Sequence, residues 1–319
     1  MAQKKGKWAL IITAIVLVAG LWIGAFVYLI ARAGGRSGAA DFDETLIEEG
    51  TGGKVALIEV AGVITSAPSD PYSVIASDKE IVDQLDQAIE DDDVVAVIVD
   101  LDTPGGEVVA SDNIHRKVSQ VREADKPVIA LMQATAASGG YYIAAGADEI
   151  VANSQTITGS IGVILTLFDV QGAARKLGVE EIVIKSGPHK DIGSPFRDLP
   201  PEEAAILQRL IDEAYGQFVG IVAEGRGLSE RKVRELADGR IYSGKQAKDL
   251  DLVDHLGSRE EALERARDLA GVPDASLVRY ERSYGLGELL APLGKVGDGF
   301  LERETGMELR PGLKYLWLF

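Results

Sequence analysis

The sequence contains no cysteine and has three histidines in 319 residues. The lack of cysteine excludes disulfide bonds, thiol catalysis and cysteine-ligated zinc. His115, His189 and His255 are scattered along the chain, without the H-x-x-x-H or H-E-x-x-H spacing of a histidine metal site. We therefore expect neither a metal ion nor an organic cofactor.

Acidic residues are missing from the first 40 positions. All 50 lie after residue 40, whereas five of the 33 basic residues precede it. The rest of the chain therefore carries 28 basic against 50 acidic residues, a net charge of −22. Such a surface repels phosphate, which argues against nucleic acid as a partner.

Charge of either sign is absent from residues 8–31, a run of 24 residues that begins with Trp8. A helix needs about 20 apolar residues to cross a bilayer, so this run predicts a transmembrane helix. A cleaved signal peptide is the alternative, but its apolar region spans only about 7–15 residues. No persuasive A-x-A cleavage site follows the run at once, which favours a retained anchor.

The flanks of this run predict its orientation. Residues 1–7 contain three lysines, against two arginines shortly after the run. The positive-inside rule then predicts a cytoplasmic N-terminus, a single pass through the cell membrane and an extracytoplasmic acidic body. Residues 32–53, rich in glycine and charged side chains, are typical of a linker between the anchor and that body.

Beyond the linker, short apolar runs alternate with amphipathic segments, which predicts an α/β fold. The predicted strands are 54–62, 94–102, 126–133, 148–153 and 179–187, and the predicted helices are 78–92, 111–125, 199–227, 229–239 and 258–271. Strands that alternate with helices favour right-handed crossovers and a mainly parallel sheet. We place the main domain at 54–272 and a C-terminal extension at 273–319.

Two glycine pairs lie next to residues that could carry chemistry. In "ATAASGGYYIA", Ser138 precedes Gly139 and Gly140, so its hydroxyl can be approached closely and nearby amides are open to a ligand. In "LDTPGGEVVASD", Gly105 and Gly106 separate a predicted strand from a helix and could direct amides into a cleft. Taken by itself, the second stretch is better explained as an ordinary strand-to-helix turn.

A serine nucleophile needs a base, and no histidine lies near Ser138 in sequence. A lysine in water has a pKa of about 10.4 and must be desolvated before it can accept a proton near neutral pH. Lys190, in the loop "SGPHKDIGSPFRD", and Lys185, at the end of a predicted strand, are both candidates. Asp191 would hold the Lys190 ammonium charged if the two side chains met, so we expect it to point elsewhere.

Four motifs occur together along the chain: "TPGG", "ASGGYYIA", "TGSIGV" and "SGPHKDIGSPFR". In order and approximate spacing they resemble the bacterial signal peptide peptidase A family, in its short membrane-anchored form. The resemblance covers about residues 54–272. It implies a Clp-protease/crotonase-like fold of repeated ββα units, and a membrane-anchored serine endopeptidase that degrades hydrophobic peptides such as cleaved signal peptides.

The resemblance also implies which residues act. A serine–lysine dyad would consist of Ser138 as nucleophile and Lys190, rather than Lys185, as general base. Ser160 of "TGSIGV" would hydrogen-bond the base. The amides of Gly106 and Gly139 would form the oxyanion hole, with Gly105 as a further candidate. Family members of this length form homo-oligomeric rings in which neighbours complete each site.

Three other functions are compatible with the same residues. One is a peptidase that cleaves stomatin-like membrane proteins. Another is a crotonase-like acyl-CoA hydratase or isomerase, which uses a similar oxyanion hole but needs no nucleophile. The third is an inactive membrane scaffold that presents a groove to other proteins.

The chain ends in the apolar decapeptide "RPGLKYLWLF", residues 310–319. Ten residues are too few to span a bilayer, although they could lie in its interface. We expect instead that this tail adds a strand to a sheet edge beside Ser138 and competes there with substrate.

Overall fold

A computed structural model describes residues 42–69 and 74–282, and the backbone of 314–316. The predicted anchor at 8–31 lies outside the described residues. Within the described ranges, the helices are all too short or too polar to cross a bilayer.

The described chain alternates strands and helices, as the sequence predicts. The strands are β1 (Asp43–Glu48), β2 (Lys54–Ala61), β3 (Val63–Thr65), β4 (Ile75–Ser77), β5 (Val94–Thr103), β6 (Gly105–Glu107), β7 (Val128–Ala137), β8 (Glu149–Ala152), β9 (Ile157–Gly159), β10 (Ile241–Ser243), β11 (His255–Leu256), β12 (Ser276–Glu281) and β13 (Lys314–Leu316). The helices are α1 (Asp78–Glu90), α2 (Val108–Glu123), α3 (Gly139–Ala144), α4 (Gln171–Leu177), α5 (Pro201–Arg226), α6 (Glu230–Leu236), α7 (Gly244–Asp249) and α8 (Arg259–Ala270).

The main sheet has the order β1-β12-β2-β5-β7-β8-β11, with β9 beside the end of β7 and β10 beside β9. The pairs from β12 to β11 are parallel, and so is β7 with β9. The edge pairs β1–β12 and β9–β10 are antiparallel. The prediction of a mainly parallel sheet is confirmed.

Alternate side chains of the main sheet enter two separate cores, because successive residues of a strand face opposite ways. On one face, Ala56 and Ile58 of β2 join a cluster with α1, α2, α3 and α5. On the other face, Val55 and Leu57 pack with Leu263 of α8. Helices thus cover both faces, as the continuously apolar central strands predict.

A second, small sheet has the order β13-β6-β3-β4. Strand β6 directly follows β5 of the main sheet and directly precedes α2. The small sheet therefore stands at the carboxyl ends of the central parallel strands, the edge where α/β folds commonly bind ligands.

The folded unit is larger than the predicted 54–272. Residues 43–48, expected in the linker, form β1 and pair with β12, which lies within the expected C-terminal extension. Strand β12 in turn pairs with β2, so both segments complete the edge of the main sheet. Pairing across more than 200 residues is not visible in local patterns.

The predicted strand at 179–187 is wrong. These residues form no strand in the structure, and their apolar side chains are exposed, Ile182 by 85% and Ile184 by 98%. Their β-branched composition favours a strand, but a strand needs a hydrogen-bonded neighbour, and the described chain supplies none here. The segment therefore lies exposed at the surface without regular secondary structure.

Candidate active site

Ser138 lies at the sharp junction between β7 and α3. Its φ of 55° and ψ of −112° are unusual for a residue with a side chain. Such strain persists only where the surroundings enforce it, and it clusters at functional sites. The Ser138 amide donates to the carbonyl of Gly159 at 2.8 Å, and the residue is 1% exposed. The turn thus holds this hydroxyl in one place.

Ser160 leaves β9 beside Ser138. Ala137 and Gly159 pair in the parallel strands β7 and β9, and the two serines follow directly. Ser160 also has a positive φ, of 50°, and its amide donates to the carbonyl of Arg240 at 2.8 Å. The structure brings these two predicted site residues to the same edge of the sheet.

Glycine is required where β6 meets α3. A Cβ on Gly139 would lie 2.5 Å from Ser111 Oγ and 3.2 Å from the amide nitrogen of Gly106. A Cβ on Gly106 would lie 1.9 Å from the carbonyl oxygen of Ile64 in β3. Side chains would therefore separate the two backbones that carry the predicted oxyanion amides. The structure brings Gly106 and Gly139 together next to Ser138.

The amide of Gly105 already has an acceptor. It donates to Thr103 Oγ1 at 3.0 Å, in a fully buried position. An amide so engaged is a poorer donor to a developing oxyanion. This contact argues against Gly105 as an oxyanion donor.

Sequence reasoning missed two buried hydroxyls that secure this turn. Thr103 accepts from Gly105, and its methyl faces Gly140, whose Cβ would lie 2.7 Å from it. Ser111 donates to the carbonyl of Glu107 at 2.9 Å and faces Gly139. Each hydroxyl lies within five residues of the "PGG" turn, so a search for side chains that cap this turn could have found both.

Within the described chain, no histidine is placed to act as a base for Ser138. None of the three histidines hydrogen-bonds to it within the described chain. His115 packs edge-on against Tyr142 with ring centroids 5.2 Å apart, and burial lowers its pKa. His189 contacts Glu202 and Glu203. These contacts engage His189 with the start of α5 rather than with Ser138.

Lys190 lies in a turn after the exposed, irregular segment 179–187, and it is itself exposed. Its amide donates to the carbonyl of Gly187 at 3.3 Å. Within the described residues of this single chain, Lys190 makes no ion pair and no hydrogen bond to Ser138 or Ser160. The structure does not bring the predicted base to the nucleophile within one chain.

Asp191 points away from Lys190, as expected. Its carboxylate accepts from Arg197 and lies 2.6 Å from Lys185 Nζ. The hydrogen bonds from Arg197 and then Lys185 hold the pKa of Asp191 well below its usual range. Lys185 is thereby paired with an anion, which favours its charged form and makes it a poor base. Of the two lysines, only Lys190 is free of an acid among the described residues.

The C-terminal tail contributes a strand to the small sheet. Strand β13 runs antiparallel to β6, with Tyr315 opposite Gly106 and Leu316 opposite Gly105. The expected strand addition beside the site is thus present for residues 314–316. These residues pair with β6, the strand whose Gly106 lies close to Gly139.

Comparison with known proteins gives the family. The sequence profile of peptidase family S49 matches residues 120–273, which include Ser138, Ser160 and Lys190. A Synechocystis protein that is named as a protease is 49% identical over 222 residues, covering 69% of this chain and 76% of the relative.

Two further relatives carry more specific names. One is an Enterococcus faecium protein named for signal peptide peptidase SppA, 38% identical over 241 residues, with 75% of this chain and 70% of the relative covered. The other is the chloroplastic serine protease SPPA of Arabidopsis thaliana, 34% identical over 254 residues, with 76% of this chain but 37% of the relative covered. The chain belongs to peptidase family S49, of the SppA type.

Proposed function

We propose that this S49 peptidase is a membrane-anchored serine endopeptidase of Clp-protease/crotonase-like fold that degrades hydrophobic peptides such as cleaved signal peptides. The observation that carries the proposal is the strained Ser138, held beside the close-packed glycine backbones of β6 and α3. A nucleophile and a pair of converging amides are what acyl transfer requires.

The mechanism assigns one step to each residue. Ser138 Oγ attacks the scissile carbonyl carbon while Lys190 Nζ takes the hydroxyl proton. The carbonyl oxygen becomes an oxyanion that accepts from the amides of Gly106 and Gly139. When the C–N bond breaks, the Lys190 ammonium returns its proton to the leaving amine. Water then attacks the serine ester by the same route and releases the acid.

This mechanism needs a desolvated Lys190 close to Ser138, whereas within the described part of one chain Lys190 is exposed and makes no hydrogen bond to Ser138. We propose that a second copy supplies Lys190 within a homo-oligomeric ring. Exposed apolar side chains cluster just before Lys190, at Ile164, Phe168, Leu177, Val179, Ile182, Val183 and Ile184. Clusters of this kind mark contact sites. Burying them against a neighbour would also desolvate Lys190 and lower its pKa.

The edge of β6 supports an extended hydrophobic peptide as the substrate. An extended peptide can add to this strand through main-chain hydrogen bonds, as β13 does, and place its scissile carbonyl near the glycine amides. An anchor at 8–31 would hold the site near the bilayer, where such peptides accumulate. A peptidase for stomatin-like proteins would use the same groove with a different sequence preference.

A fluorophosphonate probe tests the proposal on the full chain in detergent. It should label wild type at Ser138, whereas Ser138→Ala should be unlabelled and should leave a hydrophobic signal peptide intact. A crotonase-like enzyme would keep its acyl-CoA activity in Ser138→Ala, and a scaffold would not be labelled at all. Either result would overturn the peptidase assignment.

Mixing two inactive variants tests the shared site. Ser138→Ala and Lys190→Ala chains, dissociated and reassembled together, should regain activity, because one copy offers the serine and its neighbour the lysine. In a closed ring formed by random equimolar mixing, about one quarter of the sites combine an intact Ser138 from one copy with an intact Lys190 from its neighbour. No recovery in assembled mixtures would place both residues in one chain.

A further inference from the structure

The turn that carries Lys190 is held by charged side chains on both sides of it. His189 lies 3.0 Å from Glu202 and 3.3 Å from Glu203, at the start of α5. Asp191 is bound by Lys185 and Arg197. The residues before and after Lys190 are thus tied down, while Lys190 itself is left without an acid partner among the described residues.

Arg197 is the central member of this group. Its Nε and Nη2 donate to the two carboxylate oxygens of Asp191 at 3.1 and 2.9 Å. Nη2 also donates to both carboxylate oxygens of Glu203, at 3.0 and 2.8 Å. Glu203 is only 3% exposed, so this pair fixes the loop to the protein body. A planar guanidinium suits such two-sided binding, and a lysine ammonium does not.

We infer that Arg197 is a positioning residue that occupies the Asp191 carboxylate and so keeps it from pairing with the adjacent base, Lys190. The inference rests on the proposed role of Lys190. A carboxylate beside an ammonium favours the charged form, which cannot take a proton from serine. By drawing Asp191 to the opposite side, Arg197 leaves Lys190 free to lose its proton once a neighbour covers it.

The charged groups around the turn determine which carboxylates lose a partner when Arg197 is replaced. The cations are Lys185 and Arg197, and the anions are Glu181, Asp191, Glu202 and Glu203, with His189 between the last two. Glu181 accepts from Ser194 at 2.7 Å, and Glu202 and Glu203 are held at the start of α5. Removal of Arg197 leaves Glu203 with His189 and Asp191 with Lys185, and of these two anions Asp191 is the one next to Lys190 in sequence.

The test is the pH profile of kcat/KM for a hydrophobic peptide, recorded on the full chain between about pH 7 and pH 11, which reports the pKa of the base in the free enzyme. In Arg197→Gln, Lys185 is the one cation still paired with Asp191, and the less restrained carboxylate should raise that pKa and move the ascending limb upward by up to about one pH unit. Activity near pH 8 then falls by up to roughly tenfold and returns at high pH.

Asp191→Asn separates this effect from simple disruption of the loop. It also breaks the contact with Arg197 but introduces no free carboxylate, so its limb should not move upward. Arg197→Gln combined with Asp191→Asn should return the limb to the wild-type position. Arg231→Gln, which breaks an exposed arginine–glutamate pair on α6, is the matched control.

Each result decides for or against the inference. An unshifted limb in Arg197→Gln, or equal losses in Arg197→Gln and Asp191→Asn, would overturn it. If Arg197→Gln does not fold, Arg197→Lys takes its place, since one ammonium cannot hold both carboxylates. Its limb should move upward by a smaller amount, and an unshifted limb would overturn the inference. Full activity in Lys190→Ala would instead refute the proposed base.

Discussion

Ser138 and Ser160 emerge side by side from adjacent parallel strands, each directly after a paired residue and each at a positive φ. The two hydroxyls are 22 positions apart in sequence yet share one sheet edge. A base that enters this edge from a neighbouring copy would meet both. The geometry therefore supports a nucleophile at one position and a residue that orients the base at the other.

Ser160→Ala should lower kcat and leave KM nearly unchanged. Loss of one hydrogen bond to the base costs about 0.5–1.5 kcal/mol, or a kcat lower by roughly two- to tenfold. Steady-state kinetics with a peptide substrate would show it, with fluorophosphonate labelling of Ser138 slowed but not abolished. A variant as inactive as Ser138→Ala would make Ser160 essential for the chemistry itself.

Thr103→Val should loosen the glycine turn. The buried Gly105 amide would lose its acceptor, which costs about 1–3 kcal/mol of unfolding free energy, and kcat should fall with it. Thr103→Ser keeps the hydroxyl and is the matched control. Urea unfolding and peptide kinetics measure the two effects. Equal stability of Thr103→Val and wild type would contradict the role of this hydrogen bond.

Removal of residues 311–319 should lower the KM for small peptides, because β13 occupies the edge of β6 where we expect peptides to bind. Mass spectrometry should also find the tail shortened in active protein and intact in Ser138→Ala. An intact tail in fully active enzyme, with a deletion that changes only membrane association, would favour the interface alternative.

Proline substitutions test the same strand without shortening the chain. Neighbouring amides of a strand point in opposite directions, and proline has no amide hydrogen. Of Lys314→Pro and Tyr315→Pro, one should therefore remove a hydrogen bond to β6 and lower the KM, and the other should serve as its control. Equal KM values in both variants and wild type would show that β13 does not restrain the site.

Asp254→Asn should destabilise the fold that supports α3. Arg226 pairs with Asp254; the Arg226 side chain is 6% exposed and the Asp254 side chain 30%. Removal of one partner from a fully buried pair costs about 3–5 kcal/mol, so we expect a loss toward the lower end of this range. The exposed pair of Lys245 and Asp249 offers a control, Asp249→Asn, with an expected loss of about 0–1 kcal/mol. Urea unfolding at neutral pH measures both, and similar losses would contradict the prediction.

The same pair predicts loss of stability in acid. Burial would raise the pKa of Asp254, but the hydrogen bonds and charge of Arg226 outweigh burial and hold that pKa below its usual range. Its contribution is complete above the unfolded pKa of about 3.9 and is lost as the pH falls through the lower folded value. Unfolding free energies of wild type should therefore drop more steeply below about pH 4 than those of Asp254→Asn.

Local pattern was sufficient for the central strands and the longer helices. The strands β2, β5, β7 and β8 and the helices α1, α2 and α5 agree with their predictions to within a few residues at each end. Ser138 could be selected because a serine before two glycines has few structural explanations, and the family resemblance added Ser160 and Lys190. Each of these conclusions depends on residues close together in sequence.

The sequence by itself thus determined the α/β order, the nucleophile motif and the exclusion of thiol chemistry, since composition and short-range spacing decide these. Only the tertiary structure decided that β1 closes the sheet edge against β12, that 179–187 has no strand partner, and that Thr103 already engages the amide of Gly105. It also decided that Asp191 pairs with Lys185 and Arg197 and so leaves Lys190 free. Hydrogen bonds and ion pairs are satisfied by whichever groups the folded chain brings within reach, and sequence distance does not reveal which groups those are.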